Sequence, residues 1–386
     1  MSEQFLPFSK PCIDQATIDE VVECLRSGWL ATGPRVKRFE SDLAKYFKKE
    51  VSNTLVLTSA TAGLQLALQS LNFQPGDEVI TTSITFAASA NTIVQAGAKP
   101  VFVDVELETR NIDIRKVEKA ITAKTKAILP VHFAGVPVDL DAVYALAKKY
   151  NLRVIEDAAH AVGSFYKDKI IGSFGDTQVF SFHPNKVMTS GEGGAVTTSD
   201  ANMAKFISVM RFHGIDREAW NRNAKEGSQH YDVIAAGYKY NMMDIQAALG
   251  IHQLAHLEEF IAKRTKLALR YNELFAGWEE LMLPQNPDYS SRNSWYIYAP
   301  LINIEKAKIT RDEFMQKMKE QNIGTGLHYE AVHLYSFYQK TYGYKRGDFS
   351  NAEIISDRIV SLPLFPDMTF ADQDRVVTAM RKIFKG

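Results

Sequence analysis

From about residue 54 the chain alternates short apolar runs with longer segments whose apolar positions recur every three or four residues. The run Thr54–Leu57 precedes a helical pattern through Leu64, Leu66, Leu68 and Leu71, and Glu78–Thr82 precedes another over Ala87–Gln95. Further strand-like runs follow at Pro100–Val103, Ala127–Val131 and Arg153–Glu156, with helical stretches at 113–122 and 139–149 between them. Strands apolar on both faces, each followed by a helix, predict a mostly parallel sheet covered by helices on two sides. Ligands of such sheets sit beyond the carboxyl ends of the strands. The residues just past each run are therefore where chemistry is expected.

The pattern then changes. A polar loop over about 214–236 leads to Asn241, which with Asp244 reads as an N-cap and its acidic N3 partner. A long helix is expected from there through Ile245, Leu249, Leu254 and Leu257 to about Phe275. Beyond Pro284–Asp288, a β-rich piece (Ser294–Ile302), a helix (Thr310–Glu320), a second β-piece (Ile323–Leu327) and helices at about 351–360 and 370–384 predict a smaller α+β lobe. The chain, at 386 residues, is too long for one small domain. The expected division is a large lobe over 1–250, an N-terminal helix included, and a small lobe over 251–386.

Composition narrows the function classes. Lysine plus arginine equals aspartate plus glutamate, 45 each, so bulk charge favours neither nucleic acid nor an anionic membrane as a partner. Two cysteines, Cys12 and Cys24, make no disulfide framework, and no Cys-x-x-Cys or His-Glu-x-x-His spacing suggests a metal. The first residues lack a basic stretch followed by an apolar one. No run approaches the ~18 apolar residues of a membrane span. A soluble, reduced, cytoplasmic protein is expected.

Four segments carry candidate chemistry. Asp157 and His160 lie at the end of the run Val154-Ile155-Glu156-Asp157, where a carboxylate either caps a loop or faces a ligand. Lys186 follows a short strand ending at Ser181, ahead of Gly191-Glu192-Gly193-Gly194; alone, such a lysine is usually solvated. Thr58-Ser59-Ala60-Thr61-Ala62-Gly63 lies between a strand and a helix, where small hydroxyl residues cap the helix or leave N–H groups for a phosphate. Phe86 closes the run from Thr81 and is either core or a plate for a planar ring. Together they form the set that pyridoxal 5′-phosphate (PLP) requires: a phosphate cradle, an aromatic plate, a carboxylate for the ring nitrogen and an amine for the aldehyde.

On these segments the chain resembles the DegT/StrS family of PLP-dependent nucleotide-sugar aminotransferases. The likeness also covers Ser27-Gly28-Trp29-Leu30-Ala31-Thr32-Gly33-Pro34, Pro75-Gly76-Asp77-Glu78-Val79-Ile80, Pro130-Val131-His132, Ser181-Phe182-His183-Pro184-Asn185-Lys186 and Gly237-Tyr238-Lys239-Tyr240-Asn241. The resemblance implies an α/β architecture of aminotransferase fold type I. It implies that Lys186 forms the Schiff base and Asp157 meets the pyridine nitrogen. It places His160 near the cofactor's phenolic oxygen, Thr61, Ala62 and Ser181 at its phosphate, and Phe86 on its ring. Asn241 is implied to reach the phosphate in a neighbouring subunit, which makes the protein a homodimer with composite sites.

Some relatives carry histidine at the lysine position and remove a hydroxyl instead; Lys186 favours transamination. Gly324-Thr325-Gly326-Leu327-His328-Tyr329 and Ser361-Leu362-Pro363-Leu364-Phe365-Pro366 resemble the branch that forms UDP-4-amino-4-deoxy-L-arabinose. That likeness implies glutamate as donor, 2-oxoglutarate as its product, and a UDP- or dTDP-linked 4-keto sugar as acceptor. The 4-amino sugar would serve a cell-surface polysaccharide or lipid A. His328 is a candidate sugar contact or a structural histidine. Two other readings stay open. One is a fold type I enzyme acting on amino acids alone, with Arg346 or Arg358 on the substrate carboxylate. The other is a PLP-binding regulator that has lost catalysis.

Overall fold

A computed structural model of the chain describes residues 4–216 and 231–385, so most of the polar loop expected over 214–236 lies outside the described residues. Seven strands form the main sheet: β1 Thr54–Leu57, β2 Glu78–Thr82, β3 Lys99–Val103, β4 Thr125–Leu129, β5 Arg153–Asp157, β6 Thr177–Ser181 and β7 Gly194–Thr198. Their spatial order is β1-β7-β6-β5-β4-β2-β3. β7 runs antiparallel to β1 and β6, and the pairs among β2 to β6 are parallel.

The alternation of side chains explains the layers. Helices α1 (Gln15–Ser27) and α2 (Pro34–Phe47) precede the sheet. Leu55, Leu57, Val79, Ala127, Leu129, Ile155, Val179 and Val196 share one apolar cluster with Leu64 and Leu68 of helix α3 (Ala60–Gln69), Ile93 of α4 (Ala87–Gln95) and Ile207 of a helix over Ala201–Met210. Their strand neighbours point the other way. Val56, Phe180 and Ala195 pack with Phe39 and Phe47 of the helix Pro34–Phe47, and Ile80, Ile128 and Val154 pack with Val143 and Leu146 of the helix Leu140–Tyr150. By the same alternation Asp157 and Ser181 face the α3 and α4 side, whereas Glu156 faces the opposite one.

A further apolar cluster joins Leu267, Tyr271 and Phe275 to Tyr298, Phe314, Met318, Val376 and Met380. Leu6 near the chain's beginning belongs to this cluster and pairs with Ile323.

The helix expected from Asn241 differs in its start and its continuity. It begins at Asp244 with Met243 at the N-cap, and it is two helices, Asp244–Ala255 and Leu257–Leu274, meeting at His256. The Asp244 carboxylate does not serve its own helix. It accepts hydrogen bonds from the backbone N–H of Gly33 (2.8 Å), Val36 (3.0 Å) and Arg35 (3.1 Å), so it caps the helix Pro34–Phe47. Asn241 instead donates to Thr32 Oγ1 at 2.5 Å and accepts from Lys239 Nζ at 2.7 Å. A tertiary partner outcompetes the local cap.

Candidate active site

A cavity of about 570 Å³ opens at the carboxyl ends of the strands, within the size range of small-molecule sites. Ser59 and Thr61 after β1, Thr85 and Phe86 after β2, Asp157 at the end of β5 and His160 just after it, Ser181 at the end of β6 and Lys186 beyond it all line it. His328 closes it from the far part of the chain. Ala62 lies behind the wall. Its N–H donates to Ser59 Oγ at 3.1 Å. Ala60 and Thr61, which line the cavity, stand in the first turn of α3, where amides have no intrahelical partner. Gly194 permits this turn: a Cβ there would come within 2.4 Å of the Ala60 nitrogen.

Asp157 is buried and held at both oxygens. Ser89 Oγ of α4 donates to Oδ2 at 2.6 Å and the Ala159 N–H to Oδ1 at 3.1 Å. Burial pushes its carboxyl above the ordinary value, although these two bonds and the positive charge of Lys186 pull the other way. A cation brought against it would favour the ionised form. The adjacent Glu156 faces the other side of the sheet, where His132 Nε2 (2.8 Å), Tyr144 Oη (2.5 Å) and Gln178 Nε2 (2.6 Å) surround it. The two neighbouring acids thus have separate roles: Glu156 fastens β5 and Asp157 serves the cavity.

Lys186 Nζ stands 4.0 Å from the centre of the Tyr296 ring. Burial lowers its pKa from 10.5 to about 7, with Asp157 opposing the shift, so a substantial share of the amine is neutral near pH 7. A neutral amine is what attack on an aldehyde requires. His160 is held as a neutral ring. Its Nδ1 accepts the Ala134 N–H at 3.3 Å, which leaves the proton on Nε2, 2.9 Å from Tyr329 Oη. Burial, reinforced by Lys186, holds its pKa well below the usual value. His328 Nδ1 lies 2.9 Å from Ser361 Oγ and Nε2 lies 3.3 Å from Tyr296 Oη, and burial lowers its pKa to about 3.

Phe86 is 60% exposed, so one face of its ring is free for a planar partner. Asn241 is buried and does not line the cavity of its own chain. Arg346 and Arg358 do not line it either, being tied to Asp357 and Glu305 respectively. Sequence reasoning missed Ser89, Tyr296 and Tyr329. Each is brought in from a distant segment, and only Tyr329, adjacent to His328, lay within a motif already singled out.

The lysine, the acid, the open helix turn and the exposed aromatic ring fit PLP. With the seven-stranded sheet they define a PLP-dependent enzyme of aminotransferase fold type I. Residues 11–381 match the sequence pattern of the DegT/DnrJ/EryC1/StrS aminotransferase family, and the chain belongs to that family. It is 45% identical to the spore coat polysaccharide biosynthesis protein SpsC of Bacillus subtilis, covering 99% of this chain and 98% of that one. It is 42% identical to the UDP-4-amino-4-deoxy-L-arabinose–oxoglutarate aminotransferase of Shewanella sediminis, covering 99% of both. The fold matches Spr1654 of Streptococcus pneumoniae in its PMP-form at a TM-score of 0.90 and 32% identity, covering 98% and 99% of the two chains. Among the described residues no helix is long and apolar enough to cross a membrane, and no group of metal-ligating side chains is found.

Proposed function

We propose that the chain transfers an amino group from glutamate to a nucleotide-linked 4-keto sugar, UDP- or dTDP-linked, releasing 2-oxoglutarate. The observation that carries this reading is the meeting of Lys186 and Asp157 in one cavity with the open turn of α3. PLP, when bound, supplies the electron sink that lets a proton leave the carbon bearing the amine. Lys186 would hold the cofactor covalently at rest. Once displaced by the donor's amine, its neutral Nζ would move the donor's Cα proton to C4′ of the cofactor. Asp157 would hold positive charge at the ring nitrogen, and Thr61, Ser181 and the first amides of α3 would bind the phosphate. Ala62 would contribute through the turn it closes. Phe86 would cover the ring, and His160, fixed as a neutral donor, would stand by the phenolic oxygen. His328 would face the sugar.

Asn241, outside its own cavity, would reach the phosphate in a partner subunit, giving a homodimer with composite sites. The names of the relatives support a sugar acceptor and a role in polysaccharide formation; a cell-surface polysaccharide or lipid A as the destination, and the cytoplasm as the place of reaction, belong to the same proposal. The amino-acid-only reading loses its two candidate carboxylate ligands, Arg346 and Arg358, to ion pairs outside the cavity.

The test is 2-oxoglutarate release from glutamate, with and without a panel of UDP- and dTDP-linked 4-keto and 3-keto sugars. Multiple turnovers are expected with a 4-keto sugar only. Steady release with 2-oxo acids as the sole acceptors would establish the amino-acid enzyme instead, and no turnover with any acceptor would favour the regulator.

A further inference from the structure

Ser83, His333 and Glu353 form a hydrogen-bonded chain beside the cavity. Ser83 Oγ lies 2.6 Å from His333 Nδ1, and His333 Nε2 lies 3.2 Å from Glu353 Oε1. The order of groups is that of a hydrolase triad. Ser83 and His333 are nevertheless 0% exposed and neither borders the cavity, so no substrate reaches the hydroxyl.

What the chain joins is three pieces of structure. Ser83 directly follows β2, His333 lies in the short turn Val332–Leu334, and Glu353 lies in the helix Ser350–Arg358. The backbone repeats the connection: the Val332 N–H donates to the Ser83 carbonyl at 2.9 Å, and the Ala331 N–H to Ser356 Oγ at 2.9 Å. Segment 328–335, held in this way, carries His328, Tyr329, Glu330 and Tyr335, four residues of the cavity wall. On the other side, Ser83 lies two and three residues ahead of Thr85 and Phe86, which also line it.

Among the described residues the His333 ring hydrogen-bonds only to Ser83 and Glu353. Glu353 Oε1 also accepts the N–H groups of Gly347 (2.8 Å) and Phe349 (3.3 Å), which fix the carboxylate whatever His333 does. The neutral ring donates from Nε2 to Glu353 and accepts the Ser83 hydroxyl at Nδ1. Loss of either partner leaves a buried nitrogen unpaired.

We propose that Ser83, His333 and Glu353 act as a positioning latch that holds the 328–335 wall over the cavity and thereby sets how tightly the amino acceptor is bound. This rests on the reading of the cavity as the site of the keto-sugar. The test compares wild type with Ser83→Ala and Ser83→Thr by hydrogen exchange and by steady-state kinetics, using the PLP-loaded protein. In Ser83→Ala the amides of 331–335 should exchange about tenfold faster, equivalent to about 1.4 kcal/mol. KM for the keto-sugar should rise about tenfold with kcat within about threefold of wild type. Ser83→Thr, which keeps the hydroxyl, should restore both. Should Ser83→Ala not fold, His333→Gln, which keeps the bond to Glu353 and gives up that to Ser83, should show the same pair of effects. Unchanged exchange in this segment, or a fall in kcat at unchanged KM, overturns the proposal. If wild type turns over no keto-sugar, the functional reading fails, and the exchange comparison alone decides whether the latch exists.

Discussion

Replacing Asp157 with asparagine isolates a charge from the structure that holds it. The amide keeps the shape of the carboxylate. Its oxygen can still accept the Ala159 N–H, and its NH₂ can donate to Ser89 Oγ, whose own hydrogen then turns to Thr85 Oγ1 at 2.7 Å. No buried polar group is stranded, so the fold should survive. What is lost is a negative charge facing the ring nitrogen. At about 4 Å and an effective dielectric of about 20 such a pair is worth about 4 kcal/mol. If that stabilisation is realised in the transition state, the rate should fall about a thousandfold. The assay is the single-turnover bleaching of bound PLP by glutamate, followed through its absorbance, alongside steady-state 2-oxoglutarate release. A variant within about threefold of the wild-type rate would refute the reasoning, because another group would then hold the ring nitrogen's charge.

Stability supplies an independent check on the same substitution. Burial raises the Asp157 carboxyl in the cofactor-free chain. A carboxyl whose folded pKa is raised supports the fold at pH below its unfolded value, and that support is lost as pH rises through the folded value. At pH above the unfolded value the group therefore costs the cofactor-free protein stability. Cofactor-free Asp157→Asn should melt no lower than wild type, and PLP should stabilise wild type more than the variant.

Two further predictions follow the same geometry. Attachment of PLP to the cofactor-free chain should quicken with pH through about 7, where Lys186 loses its proton, and level off by about pH 8. An amine with the usual lysine pKa would instead keep accelerating above pH 9, so stopped-flow absorbance separates the two cases. If Asn241 serves the partner's cofactor, mixed dimers of Lys186→Ala with Asn241→Ala should regain activity that neither variant has alone; no recovery on mixing would place Asn241 outside the site.

Much of the cavity's lining was legible because period-two alternation and strand ends are local properties. The run Val154–Asp157 placed a carboxylate at the sheet's edge, and β6 ending at Ser181 did the same for the segment leading to Lys186. Residues delivered by tertiary packing left no such mark. Ser89 is one small residue within a short helix, and Tyr296 comes from the β-rich piece more than a hundred residues after Lys186. Asn241 and Asp244 had the spacing of a local cap. The unsatisfied N–H groups at Gly33, Arg35 and Val36, some 210 residues earlier, claimed the carboxylate instead.

One amine among the chain's lysines, that of Lys186, should bond to the cofactor. Reduction of the PLP-loaded protein with borohydride, proteolysis and mass mapping of the fragments tests it directly. A pyridoxyl label on the peptide containing Lys186, and none in Lys186→Ala, is the predicted result. A label on a different lysine, or a covalent adduct that persists in Lys186→Ala, would contradict it.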